Sequence, residues 1–150
     1  FEQEPEYLVY GGVVFVPLNM NLIKRWGRDW HRQAPVEFLH ARNSRSTEEK
    51  RELVVGLKVL AADVNLGYHD WKNWILESVD GQPIRDFEHF CSMLTGADGD
   101  STVLRDEEGY QMVINRQQAE DTQAAILGRY RVPEANACRS ADQVVQRPTR

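Results

Sequence analysis

Cysteine is scarce: Cys91 and Cys138 are the only two in 150 residues. Two thiols support neither a disulfide scaffold nor a thiolate metal cage. Cys91 falls in an apolar helical pattern and Cys138 in a polar stretch, so one buried thiol and one loose thiol are expected. Long apolar runs are missing as well, and no segment reaches the ~18 residues of a membrane-spanning helix. Basic residues are outnumbered, with 18 Lys and Arg against 23 Asp and Glu and a net charge of -5. Phosphate backbones demand a concentrated basic surface, so nucleic acid is not expected as a partner. The opening Phe1-Glu2-Gln3-Glu4-Pro5-Glu6 shows neither an initiator Met nor a signal-peptide pattern. It reads as a linker cut from the interior of a longer chain.

Catalytic signatures are equally thin. A serine nucleophile of the trypsin type needs a glycine-rich turn whose N–H groups build the oxyanion hole. The nearest approach, Gly99-Asp100-Ser101, lacks the following glycines and runs straight into a strand. His31, His40, His69 and His89 are scattered without a nucleophile to serve. For metals, His69-Asp70 has no partner at the spacing of a helical zinc motif. Asp98-x-Asp100-x-Thr102 begins like a calcium loop but has Gly109 where the bidentate Glu belongs. Gly11-Gly12 leads into a strand, so no helix N-terminus stands ready for a phosphate. No cofactor is expected, and the chain as given is not expected to be an enzyme.

What is present is an ordinary globular composition, 41% apolar and 27% charged, long enough for one domain and a tail. Charge is uneven along it. Residues 129–150 hold five Arg against Glu134 and Asp142, a balance of +3 that leaves -8 on residues 1–128. The tail from 131 to 150 therefore reads as polar, Arg-containing and solvated. Residues 7–18 are extended and β-branched, with Gly11-Gly12 as a break. Asn19 caps a short helix in which Met20, Ile23 and Trp26 recur at helical spacing, closed by Gly27. Val36 to Leu39 fits strand or helix, and Asn43 to Lys50 is a charged loop.

Alternation returns at Leu53, Val55, Leu57 and Val59. Val54 and Leu60 on the other parity predict a strand covered on both faces. Residues 61–73 make a connection, Trp74 to Val79 a strand, and Asp80-Gly81 a tight turn. Asp86 caps a helix that places Phe87, Phe90, Cys91 and Leu94 on one buried face. Ser101–Arg105 and Tyr110–Asn115 form a hairpin around Gly109. A last helix near 117–127 turns Ala119, Ile126 and Leu127 inward and ends at Gly128. The order predicts an α+β fold built on a small, mainly antiparallel β-sheet or barrel with one groove helix.

A binding architecture remains. A glycine turn can aim consecutive N–H groups at a terminal carboxylate, and Val13-Val14-Phe15-Val16 after it can pair with an extended ligand. The plainer reading of Gly11-Gly12 is a tight turn before a core strand. Trp30 and Trp71, outside the clear core pattern, fit interface anchors or core positions alike.

Four stretches carry a resemblance. Tyr10-Gly11-Gly12-Val13-Val14-Phe15-Val16-Pro17-Leu18 resembles the opening of PDZ domains in the HtrA/Deg serine proteases. Trp74 through Ile84, with its Val79-Asp80-Gly81-Gln82-Pro83-Ile84 ending, resembles the segment that precedes their groove helix. Val59 to Tyr68 and Ile126 to Pro133 are similar to motifs of the C-terminal PDZ-like domain of plant-type Deg proteases. The resemblance spans residues 7–130 and implies a PDZ-like domain with an insertion at about 28–50 and an added C-terminal helix.

It further implies a groove between the Val13–Val16 strand and the Phe87–Leu94 helix. Tyr10, Gly11, Gly12 and Val13 would form the carboxylate loop, with Val14 and Phe15 continuing the ladder. Phe87, Phe90 and Cys91 would line the apolar pocket, although a plain core needs the same residues. The implied partners are peptide or protein segments, the protease domain of the same chain, and further copies in an oligomer. The implied compartment is the cell envelope or an organelle, and the implied parent is a serine endopeptidase. Two functions follow. A peptide-binding regulator needs an open edge at Val13–Val16, whereas a structural assembly domain would have that edge covered.

Overall fold

The computed structural model describes residues 6–18, 52–96 and 98–134. The short helix expected from Asn19, the segment 28–50 and the tail beyond Glu134 lie outside the described residues. Among the described residues seven strands form one antiparallel sheet: β1 (Leu8–Tyr10), β2 (Val13–Leu18), β3 (Leu53–Val59), β4 (Trp74–Val79), β5 (Gln82–Pro83), β6 (Ser101–Asp106) and β7 (Gln111–Asn115). Their spatial order is β1-β2-β3-β4-β6-β7, with β5 a short branch paired to β4. Helix α1 (Phe87–Gly96) follows β5, helix α2 (Arg116–Arg129) follows β7, and a 3-10 turn at Asp63–Asn65 lies between β3 and β4. This is the expected α+β, PDZ-like architecture.

The apolar pattern explains the layers. On one face of the sheet Phe15, Val54, Leu76, Leu104, Met112 and Ile114 form the main core with Phe87, Phe90 and Leu94 of α1. On the other face Val16, Leu53, Val55 and Ile75 form a smaller cluster. Val54 and Val55 are both fully buried, so β3 is covered on both sides as its double parity predicts. Gly56, between them and Leu57, is required by a close approach. The Trp74 indole packs against it, and a Cβ there would stand 2.5 Å from Trp74 Nε1.

Cys91 departs from the reading of the sequence. It is buried on α1 as expected, but it is disulfide-bonded and carries no free thiol. Cys138 lies outside the described residues. Spacing along the chain reveals nothing about which sulfurs meet in space.

The N-terminus of α1 is capped by two side chains. Asp86 Oδ1 accepts the His89 N–H at 2.8 Å, and Glu52 Oε1 accepts the Phe87 N–H at 3.1 Å. His89 Nδ1 in turn accepts the Arg85 N–H at 3.1 Å, which requires a neutral imidazole. Burial holds His89 below its ordinary pKa, Arg85 pushes the same way, and Asp86 opposes them. A histidine depressed in the folded state binds fewer protons there than in the unfolded chain. Its contribution is therefore complete above about pH 6.5 and is lost as pH falls through the lower, folded-state value. Urea titrations at pH 7.5 and pH 5 are expected to show that His89→Ala removes part of this acid sensitivity. Solvent around the ring keeps the difference below about 1 kcal/mol.

Helix α2 starts at Asn115, whose Oδ1 accepts the Gln118 N–H at 2.8 Å. It is otherwise a polar helix, buried at Ala119 and Ile126, with Leu127 half-buried and one turn position, Gln123, directed at the sheet. Tyr130 just beyond it donates to the Ala61 carbonyl at 2.8 Å.

β1 and β7 are the two rims of the sheet, and each is tied by a side chain. The Val9 carbonyl accepts Gln123 Nε2 at 2.8 Å, and the Val113 N–H donates to the Tyr68 hydroxyl at 3.1 Å.

Candidate peptide-interaction site

The strand expected to receive a ligand, β2, is paired along both of its edges. On one side β3 joins it, with Val13 opposite Val59 and Val16 opposite Val55. On the other side β1 runs antiparallel to it, with Tyr10 opposite Val13, Val9 opposite Val14 and Leu8 opposite Phe15. Gly11 and Gly12 are the only residues between the two strands. Their φ values of +59° and +82° are those of a two-residue hairpin turn with both central residues left-handed. In such a hairpin Tyr10–Val13 and Leu8–Phe15 exchange the ladder hydrogen bonds, and the backbone of Val9 faces outward. Its carbonyl bond to Gln123 agrees.

The turn itself is enclosed. Gly11 and Gly12 are buried. The Gly12 carbonyl accepts the Leu60 N–H at 2.7 Å, and the Gly11 carbonyl accepts Asn65 Nδ2 at 2.9 Å. Asn65 is fully buried and uses its whole amide. Its Nδ2 also reaches the Leu60 carbonyl at 3.0 Å, and its Oδ1 accepts the Ala62 N–H at 3.0 Å. A Cβ on Gly11 would lie 2.9 Å from Ile114 Cγ2. One on Gly12 would meet the Asn65 amide and sit 2.7 Å from the Leu60 carbonyl oxygen.

Among the other residues singled out from sequence, Tyr10 is half-buried and its hydroxyl is 2.7 Å from Thr102 Oγ1. Val13 is buried and Val14 half-buried. Phe15, Phe87 and Phe90 come together in the main core, all at 0% exposure. The Phe15 and Phe90 rings meet edge to face at 4.9 Å, and Phe87 and Phe90 are 6.0 Å apart. Trp74 continues the stack from Phe15 at 6.1 Å, Trp71 from Trp74 at 5.1 Å, and Tyr68 from Trp71 at 5.2 Å. Trp71 thus joins the edge of the core.

Beside Tyr10 a cavity of about 720 Å³ opens between the last turn of α1 and the first turns of α2. Leu94, Ala119 and Gln123 line it, with Asp98, Asp100 and Glu120. Arg116, the basic residue on its wall, is paired at 2.8 Å with Asp80. Among the described residues no group of His, Cys, Asp or Glu is arranged to hold a metal ion. No described helix is long and apolar enough to cross a membrane.

Two parts of this arrangement escape a reading of the sequence. Asn65 sits in a polar connection and gives no sign of burial. Leu8-Val9-Tyr10 reads as one extended run with Val13 onward, although a Gly-Gly between two β-branched runs is itself a hairpin signal.

The antiparallel sheet with helix α1 packed on its core agrees with a family comparison, in which the PDZ domain model matches residues 1–142. The chain belongs to the PDZ domain family. This PDZ domain is similar to part of Protease Do-like 2, chloroplastic, of Arabidopsis thaliana, with 30% identity over 93% of the chain and 22% of the relative. It is also similar to the Arabidopsis Protease Do-like 4, mitochondrial, at 26% over 91% of the chain and 24% of the relative. Putative protease Do-like 12, mitochondrial, of the same plant matches at 24% over 87% of the chain and 23% of the relative. The PDZ domain thus spans between a fifth and a quarter of these three relatives. A PDZ domain has an interaction role and no catalytic one.

Proposed function

We propose that this PDZ domain is a non-catalytic assembly and regulatory module of a Do-like serine protease, with its peptide-receiving edge held by its own β1. The observation that supports this most directly is the pairing of Val13, Val14 and Phe15 with Tyr10, Val9 and Leu8. β-augmentation needs a free row of N–H and C=O groups, and here β1 supplies their partners. The open-edge alternative, a reader of free C-termini, has Tyr10, Gly11, Gly12 and Val13 as its carboxylate loop and Phe87, Phe90 and Cys91 as its pocket. It requires β1 to leave first.

The test uses the whole chain. A library of free C-terminal peptides is expected to show no saturable binding below about 100 μM, corresponding to less than about 5–6 kcal/mol of binding free energy. Hydrogen exchange is expected to find the Val13 and Phe15 amides protected without any ligand. Micromolar capture of a C-terminal peptide while Leu8 and Tyr10 stay protected would sink the closed-edge reading.

A further inference from the structure

We infer, building on that closed-edge reading, that Cys91 and Cys138 form a reducible pair that fastens β1 in its place on β2. Reduction of the pair loosens the strand, so the hold on the edge is under redox control.

Cys91 is disulfide-bonded, and the chain has one other cysteine, Cys138. Within a single chain each sulfur is the only partner the other can have. Cys91 is 6% exposed on the buried face of α1, directly after Phe90 and one turn before Leu94. Those two neighbours fix its level along the hairpin. The Phe90 ring meets Phe15 at 4.9 Å, and Phe15 stands opposite Leu8. Leu94 shares a cavity wall with Tyr10. Thus α1 runs beside the hairpin from the level of Leu8 to that of Tyr10, with Cys91 between them.

A second anchor lies at the start of β1. The Tyr7 hydroxyl donates to the Glu134 carbonyl at 2.9 Å. Cys138 follows Glu134 within a few residues, a reach of at most about 14 Å. The chain that leaves α2 is therefore held at Tyr7 by a hydrogen bond and at α1 by a covalent one. With the disulfide made, the Glu134 carbonyl is kept at high effective concentration beside Tyr7. With it cut, that exposed hydrogen bond stands alone against water and contributes little. β1 has only three residues, and Leu8 and Tyr10 alone exchange ladder bonds with β2. So short a strand opens locally, and its opening responds to each anchor lost.

The reductant is a small dithiol. Cys91 is buried, so the incoming thiolate bonds to the Cys138 sulfur, and the S–S electron pair leaves on Cys91, which is then protonated. The second thiol of the reductant displaces Cys138 from the mixed disulfide. Two electrons and two protons pass to the protein, and the reductant departs as its own disulfide.

Hydrogen exchange of the full chain is followed with and without excess dithiothreitol. On reduction the Leu8 and Tyr10 amides are expected to accelerate at least about tenfold more than those of β4. Cys138→Ser, which leaves the core side of the bond untouched, is expected to match the reduced wild type and to ignore the reductant. Should that variant fold poorly, the wild-type comparison decides alone. Iodoacetamide in urea is expected to label no cysteine before reduction and both after it. Labelling before reduction, equal acceleration of β1 and β4, or a Cys138→Ser protein that keeps the oxidised pattern overturns this inference and leaves the closed-edge reading intact. Leu8 and Tyr10 amides already unprotected in the oxidised protein overturn both.

Discussion

Asn65→Leu is expected to cost the domain about 3–4 kcal/mol, read as a lower urea midpoint with an unchanged slope. Leucine fills a similar volume, so the loss is one of hydrogen bonds. Gly11 and Leu60 would lose a donor for their carbonyls, and the Ala62 N–H its acceptor. Each buried group left alone costs about 1–3 kcal/mol, and some of it is recovered where water enters. Asn65→Asp separates the roles. It keeps the acceptor for Ala62 but turns a carboxylate oxygen toward two carbonyls, so it should be at least as damaging as leucine. A domain of this size has about 5–15 kcal/mol in hand. Either variant would also loosen the turn that joins β1 to β2, and the Leu8 and Tyr10 amides should exchange faster relative to those of β4.

Phe90→Ala is the second large effect, expected at about 3–5 kcal/mol. The ring has no exposed surface and lies between Phe15 and Phe87. Its removal leaves a cavity where sheet and helix meet, and the edge contact with Phe15, worth about 0.5–1.5 kcal/mol, goes with it. Phe90→Leu, which retains most of the volume, should cost less than about 1.5–2 kcal/mol. The measurement is again equilibrium unfolding, with the near-ultraviolet circular dichroism of the Phe15–Trp74–Trp71 stack as a second probe. Full burial also means that a ligand in the β2 edge would meet Phe90 only after the core had opened.

Much of this fold was legible from local pattern. Leu53 to Val59 alternates, Val54 breaks the alternation, and the strand is indeed buried on both faces. Asp80-Gly81 marks a turn with both residues at positive φ, 51° and 84°. Phe87, Phe90, Cys91 and Leu94 are the buried face of α1. These features follow from period and turn chemistry, which neighbouring residues impose. The site was less legible because its pieces are remote in sequence. Gln123 reaches Val9, Thr102 reaches Tyr10, and Asn65 reaches Gly11. Polarity in a loop or on a helix reads as solvation, and only tertiary structure shows that these amides face inward. Gly11-Gly12 was visible as a glycine pair, but whether the strand after it faces a ligand or its own chain depends on Leu8–Tyr10 folding back along it. The pairing of Cys91 was hidden for the same reason.

The two tied rims of the sheet bear on the colloidal behaviour of the domain. β7 shows no charged residue on its five positions, and β1 has none on its three. Strands of this kind usually need lysine, proline or a bulge to keep identical molecules from stacking rim to rim. Here a tyrosine hydroxyl interrupts one rim at Val113 and a glutamine amide interrupts the other at Val9. An incoming copy cannot continue the ladder at either place without displacing a satisfied bond. Among the described residues both rims are thereby guarded by neutral side chains, whose hydrogen bonds salt does not screen as it screens charges.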